Sequence, residues 1–315
     1  MRRRLQLPRE AYLAVALVVV MLVMSGISEY FFTVENLLKM TRYRAEVGIV
    51  ACAMTLIIMT GGIDLSVGSL LALCSIVLGY AWQVWGLGAA PAIALAIVTG
   101  AAGGAFNGML VTRCNLPPLV VTLATMALFR GLAFGVSKAD PVSGFPDAFT
   151  WLGQGSVLGL PVQLVVWVVL ALATVVLVSR TATGRVAVAI GDNVRAATFA
   201  ALKVRLITFS FYVGCGVLCA IAALIYTART STAKPDAYLG MELDVITAVV
   251  LGGTAITGGR GTALGTFLGV LILGIIRNGL TLAGVPSVWQ ETTAGSILIV
   301  MAVLNQRLGG RLSSG

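Results

Sequence analysis

The sequence predicts an all-α polytopic membrane protein with about ten transmembrane helices, some of them discontinuous, and both termini in the cytoplasm. Three observations carry this expectation. Of the 315 residues, 58% are hydrophobic and 10% charged, where a soluble domain carries about 25% charged residues. The mean hydropathy is +1.00. The apolar residues fall in runs near the roughly 20 residues that cross a bilayer, and the basic residues collect between the runs. The net charge of +9 therefore belongs to membrane orientation, and no nucleic-acid partner is expected.

In chain order the apolar segments are 11–28, 46–60, 66–83, 89–112, 117–136, 163–179, 206–227, 242–257, 263–283 and 288–305. The leading arginines of MRRRLQLPRE anchor the first span at the cytoplasmic face, and no cleaved signal peptide is expected. Even-numbered spans then return to the cytoplasm, where the connections hold Arg113, the segment 180–205, Arg260 and the Arg307/Arg311 tail. Lys39–Arg44 is the exception, placed outside by this scheme. An eight-span core with re-entrant pieces also fits. The 37 glycines suit close helix approach in lipid, where small residues bring backbones together. The chain 1–315 reads as a single transmembrane domain, with 180–205 as a cytoplasmic loop within it.

The second span runs into Gly61-Gly62-Ile63-Asp64-Leu65-Ser66-Val67-Gly68. Its glycines favour a broken helix, which is tolerated at membrane depth only against protein or a water-filled cavity. TGGIDLSVGSLLA at 60–72 aligns without gaps on TGGRGTALGTFLG at 257–269. Paired interrupted segments of this kind point to a transport pathway between repeats, though a glycine-rich chain also yields such matches by accident. Asp64 is either a group facing the pathway or the N-cap of a helix beginning at Leu65, accepting from the amide of Val67 or Gly68. Asn107, Arg130, Arg277 and Asn278 line a path or cross-link helices, and Gln290 borders an outer entry or does neither. The translocation candidates are thus Gly61, Gly62, Asp64, Ser66, Gly68, Asn107, Asn278 and Gln290.

The same composition excludes several classes. With no histidine, imidazole catalysis and His-ligated zinc are both absent. Cys52, Cys74, Cys114, Cys215 and Cys219 show no CxxC spacing and read as small buried hydrophobes rather than metal ligands. No GxxxxGK[ST] motif occurs, so ATP, if it drives this protein, is hydrolysed elsewhere. The remaining acids fall in connections or near span ends, which leaves no proton relay, and no filter motif or charged ring marks a channel. No catalytic residue, cofactor or metal site is expected.

The segment 180–205 is the most basic between two strongly apolar ones: Arg180, Arg185, Arg195, Lys203 and Arg205 stand against Asp192. Its centre predicts a short helix over Gly191–Val204, started by Gly191-Asp192-Asn193 and continued through Arg195, Ala196, Ala197, Phe199 and Ala200. Small residues with Phe199 as the one large apolar side chain make it a docking surface for another subunit. Alternatively, it lies on the membrane with its basic residues at anionic lipid headgroups.

MTGGIDLSVGSLLAL, GAFNGMLVTRCNLPPLVVTLATMALFRGLA, GRVAVAIGDNVRAATFAALKV and AVVLGGTAITGGRGTALGTFLGVLILGIIRNGL occur in this order. They resemble the membrane permease subunits of bacterial ABC importers of the ribose/xylose/arabinose family. The stretches GFPDAFTWLGQGSVLGLPVQ and LAGVPS resemble the autoinducer-2 and rhamnose-type permeases more than those for ribose. The resemblance implies an inner-membrane, multi-pass subunit that is not itself an enzyme. It implies a cytoplasmic ABC ATPase contacting a coupling helix at Gly191–Val204, an extracytoplasmic sugar-binding protein, and a second permease subunit, either the same chain or a paralogue. A nucleoside or branched-chain amino acid permease of the same architecture is the main alternative, and a secondary carrier a further one.

Overall fold

The computed structural model describes the backbone of residues 9–310 and the side chains of 10–303. The leading arginines and Arg311 lie outside the described residues. The chain is helical almost throughout: α1 (Arg9–Ser25), α2 (Val34–Met59), α3 (Val67–Gly79), α4 (Ala89–Thr112), α5 (Pro118–Ser137), α6 (Asp147–Gln154), α7 (Val162–Arg180), α8 (Ala182–Asp192), α9 (Val194–Phe199), α10 (Val204–Thr230), α11 (Met241–Leu251), α12 (Ala263–Leu282) and α13 (Ser287–Gly310). A π-helical turn, Tyr80–Val84, extends α3. Sheet is confined to two small antiparallel pairs: β1 (Val142–Ser143) with β4 (Thr232–Ala233), and β2 (Ser156–Val157) with β3 (Leu160–Pro161). The architecture is that of an all-α polytopic membrane protein. Val67–Val84, Ala89–Thr112, Pro118–Ser137, Val162–Arg180, Val204–Thr230 and Ala263–Leu282 are long and apolar enough to cross a bilayer.

Each of the ten apolar segments coincides with a helix, but several boundaries differ for physical reasons. α2 begins at Val34, not near 46, because the Thr33 hydroxyl accepts from the Asn36 amide and caps it. Lys39, Arg42, Arg44 and Glu46 are therefore inside the helix. α11 ends at Leu251; its 11 residues rise about 16 Å, roughly half the hydrocarbon thickness. The predicted helix Gly191–Val204 is two: Gly191 and Asp192 close α8, Asn193 breaks the path, and α9 ends at Phe199. Asn193 starts α9 through its Oδ1, which accepts from the Ala196 amide at 3.0 Å. At Ala201 φ is +57°, which ends the turn.

The core packs α2, α3, α4, α10 and α11 together. α4 lies against α10 along Gly100, Gly104 and Gly108, where any β-carbon would collide with Gly216, Tyr212 or Phe209. That is close backbone approach through small residues. Buried hydroxyl pairs fasten α2 to α12 (Thr55–Thr266, 2.7 Å) and α3 to α10 (Ser75–Thr227, 2.7 Å). α2 and α10 both run the length of the bundle. The C-terminal end of α2 and the N-terminal end of α10 meet the 180–205 segment, which defines a basic end and an opposite end.

Candidate functional site

The two glycine-rich breaks meet at the basic end, backbone to backbone. Gly61 (φ +81°) and Gly258 (φ +87°) are both left-handed, a conformation that glycine adopts without strain. A β-carbon on Gly258 would lie 2.9 Å from Gly61 N and 3.0 Å from Gly191 Cα. The Gly259 amide donates to Met59 O at 3.0 Å. A β-carbon on Gly191 would collide with Met59 O and the Gly259 amide nitrogen. The end of α8 thus sits directly on both breaks, and Asp192 Oδ1 lies against Gly259. Gly191 is packed into this junction and Asp192, itself exposed, lies at its edge; both close α8 instead of starting the predicted helix.

A cavity of about 690 Å³ opens beside the junction. Thr60, Gly61, Gly62 and Tyr212 line its inner wall; Val194, Thr198, Lys203 and Arg205 line the side formed by the basic segment. On α9, Phe199 is 92% exposed, whereas Ala197 is 4% exposed and packed inward. Sequence reasoning put both on one surface. The six-residue helix gives them opposite faces.

Asp64 is 1% exposed and does not cap as expected. Helix α3 starts at Val67, and Asp64 Oδ1 instead accepts from the Ser66 amide (2.9 Å) and the Ser66 hydroxyl (2.7 Å), an Asx-type turn. Asn107 Nδ2 donates to Ser66 Oγ at 2.9 Å and approaches Asp64 Oδ2 at 3.4 Å. Asp64, Ser66 and Asn107 form a sealed polar knot between the break and α4. Gly68 packs where a β-carbon would lie 2.7 Å from Tyr238 O and 2.9 Å from Glu242 Oε2. Asn278 and Asn36 exchange reciprocal amide hydrogen bonds at 2.9 Å. Gln290 donates to Val285 O (2.9 Å) and Thr281 Oγ1 (3.2 Å), and Arg130 to Pro235 O (2.7 Å) and Ala237 O (2.9 Å). All three cross-link elements. The structure brings Gly61 and Gly62 to one cavity and Asp64, Ser66 and Asn107 to one knot; Asn278 and Gln290 stand apart from both.

At the opposite end lies what sequence reasoning missed. Glu46 is fully buried, and its Oε1 accepts from Arg229 Nε at 2.8 Å. Arg229 also donates to the Tyr238 hydroxyl at 3.3 Å, and its guanidinium lies 4.8 Å from the Tyr43 ring centroid. Asp244 pairs with Arg277 and, at 3.5 Å, with Arg44. Tyr43, Arg44, Arg229, Tyr238, Asp244 and Arg277 line a second cavity of about 650 Å³, with Glu46 behind Arg229. The charges of α2 looked like an outer connection because charge ordinarily marks a span end; here Glu46 is matched by Arg229 on α10 and Arg44 by Asp244 on α11, which is what permits Glu46 to be buried and Arg44 partly buried. The signal available in the sequence was Arg44 and Glu46 abutting an apolar run, with Arg229, Asp244 and Arg277 at other span ends. Cys52, Cys74, Cys215 and Cys219 are buried and Cys114 is exposed. No cluster suited to a metal occurs among the described residues.

Long apolar helices, paired helix breaks at one end and a cavity at each end define a membrane permease. Residues 36–302 match the family described as the permease component of the branched-chain amino acid transport system, and the chain belongs to that family. It is 40% identical to the ribose import permease protein RbsC of Escherichia coli (strain K12), over 92% of this chain and 91% of the relative. Identity to RbsC of Bacillus subtilis (strain 168) is 38%, over 92% and 91%. Identity to the autoinducer 2 import system permease protein LsrD of Enterobacter sp. (strain 638) is 36%, over 93% and 91%. No solved structure matches. The ABC-importer permease resemblance read from the motifs therefore holds over nearly the whole chain, and the protein is a multi-pass permease subunit of the inner membrane.

Proposed function

We propose that this chain forms the pathway of an ABC importer for a monosaccharide or sugar-like solute, autoinducer-2 and rhamnose included. An extracytoplasmic binding protein delivers the solute, a separate cytoplasmic ATPase supplies the energy, and a second permease completes the pathway. The chain has no catalytic role of its own. In this reading it is one transmembrane domain of about ten spans, counting the short α11 as a re-entrant half-span. Both termini and the 180–205 segment face the cytoplasm.

The observation that carries the reading is the junction of Gly61, Gly191 and Gly258. A partner bound at α9 would push on α8, whose end rests on the backbone of both broken helices, so force reaches the pathway without a flexible intermediary. Phe199, exposed and apolar, is the anchor for that partner; Arg195 and Lys203 at its rim steer it. Ala196 and Ala200 are small enough to let a partner groove close around the helix, and Asn193 holds it in place. Gly61 and Gly62 border the inner mouth, while Asp64, Ser66, Gly68 and Asn107 brace the broken helix beside it.

The test is uptake of labelled D-ribose, L-rhamnose, autoinducer-2 and L-leucine by cells carrying the permease with its ATPase and binding protein. Accumulation of a polyol without leucine is the expected result. Accumulation of leucine alone overturns the sugar reading and favours an amino-acid permease of the same architecture.

A further inference from the structure

The cavity at the opposite end has a chemistry that the pathway reading does not use. Its cations Arg44, Arg229 and Arg277 are balanced by Glu46, Asp244 and, at the rim, Glu291. Glu46 pairs Arg229, Asp244 is shared by Arg44 and Arg277, and Glu291 brings the sum to zero, so the cavity offers no net charge to a monovalent ion. It offers guanidinium donors and carboxylate acceptors side by side. A vicinal diol uses both, since each hydroxyl donates to one group and accepts from the other. The Tyr43 and Tyr226 rings bracket the Arg229 guanidinium at 4.8 and 5.7 Å and add apolar faces for a C–H surface. At about 650 Å³ the space lies within the range of small-molecule sites. The Tyr238–Met241 turn that lines it is held by the close approach of Gly68, and the segment just before the turn by Arg130, which donates to Pro235 O and Ala237 O.

We propose that this vestibule is where the permease receives its solute, and that it selects a neutral polyhydroxylated molecule. Arg277 and Asp244 hydrogen-bond the hydroxyls, and Tyr43 covers the opposite face. The proposal rests on the sugar-importer reading and adds the site and its selectivity.

Cys114 is the one exposed native cysteine and Leu239, 67% exposed, lines the vestibule, so Cys114→Ser with Leu239→Cys places a reporter thiol there. The complete complex in nanodiscs, with binding protein present in every arm, is labelled with a cationic methanethiosulfonate. D-ribose, autoinducer-2 and L-leucine serve as probes. A received polyol at ten times its half-saturating concentration slows labelling about tenfold by mass action. The slowing is lost in Tyr43→Ala and kept in Tyr43→Phe, which retains the ring. No slowing by the polyols, slowing by leucine, or slowing indifferent to Tyr43→Ala overturns the proposal; indifference would mean that the docked binding protein shields the thiol. A wild-type complex that imports a polyol yet shows no Tyr43-dependent slowing overturns the vestibule alone. One that imports only leucine overturns the sugar reading beneath it.

Discussion

Replacing Gly258 by alanine probes the junction that joins the basic segment to both helix breaks. Two penalties arise. Alanine at φ +87° sits in the left-handed region, at a cost of about 1–2 kcal/mol. Its β-carbon would lie 2.9 Å from Gly61 N, 3.0 Å from Gly191 Cα and 3.1 Å from Gly61 Cα, where ordinary contact starts at 3.4 Å. Those neighbours are backbone, so the junction must open by about 0.3–0.5 Å, an overpacking of about 1–3 kcal/mol. The total is about 2–5 kcal/mol. Gly61→Ala is the internal control. It carries the same backbone penalty at φ +81°, but its nearest neighbour, Thr257 O, is 3.7 Å away, so only about 1–2 kcal/mol is expected. Thermal unfolding of the purified permease in detergent separates the two: Gly258→Ala melts several degrees below Gly61→Ala. Reconstituted with its partners, Gly258→Ala also hydrolyses ATP with reduced solute uptake per ATP. Equal melting points and equal coupling for the two variants would refute the closed junction.

Phe199→Ala removes an exposed side chain with little packing, so melting is unchanged while ATPase co-purification falls about 30-fold or more, the loss of a hot-spot contact. Unchanged co-purification places the docking surface elsewhere. Ala197→Trp, by contrast, lowers melting, because Ala197 is buried. Asp64→Asn retains an acceptor for the Ser66 amide and hydroxyl, whereas Asp64→Leu strands buried polar groups at about 1–3 kcal/mol each; expression and melting rank the variants in that order, and equal loss would point to a need for the charge itself. Arg229→Met leaves Glu46 buried without its ion partner and destabilises by about 3–5 kcal/mol, while the double variant Arg229→Met/Glu46→Gln recovers much of this in a melting cycle. No recovery in the double variant contradicts the pairing.

Helix existence was legible in the sequence because lipid demands long apolar runs and little else competes with that signal. The break at Gly61–Gly68 was legible for the same reason: glycine pairs inside such a run have few other uses. The start of α2 was not, since Arg44 and Glu46 look like a span boundary until Asp244 and Arg229 are seen beside them. The pairing depends on contacts far apart in sequence, which periodicity cannot report. Asn193 was recognisable as a start signal, yet the turn at Ala201 cut the helix to six residues and put Ala197 and Phe199 on opposite faces. Asp64 was visible as an unusual carboxylate. Its partners Ser66 and Asn107 were separately visible as polar residues; the knot that joins them required the fold.

The central claim is tested most directly in proteoliposomes that contain the permease with its ATPase, supplied with binding protein and labelled polyol. Accumulation above the external concentration that requires ATP, and that stops when the ATPase is omitted, is the predicted result. Accumulation by the permease alone, without ATPase or ATP, would contradict the account and make the chain a carrier in its own right.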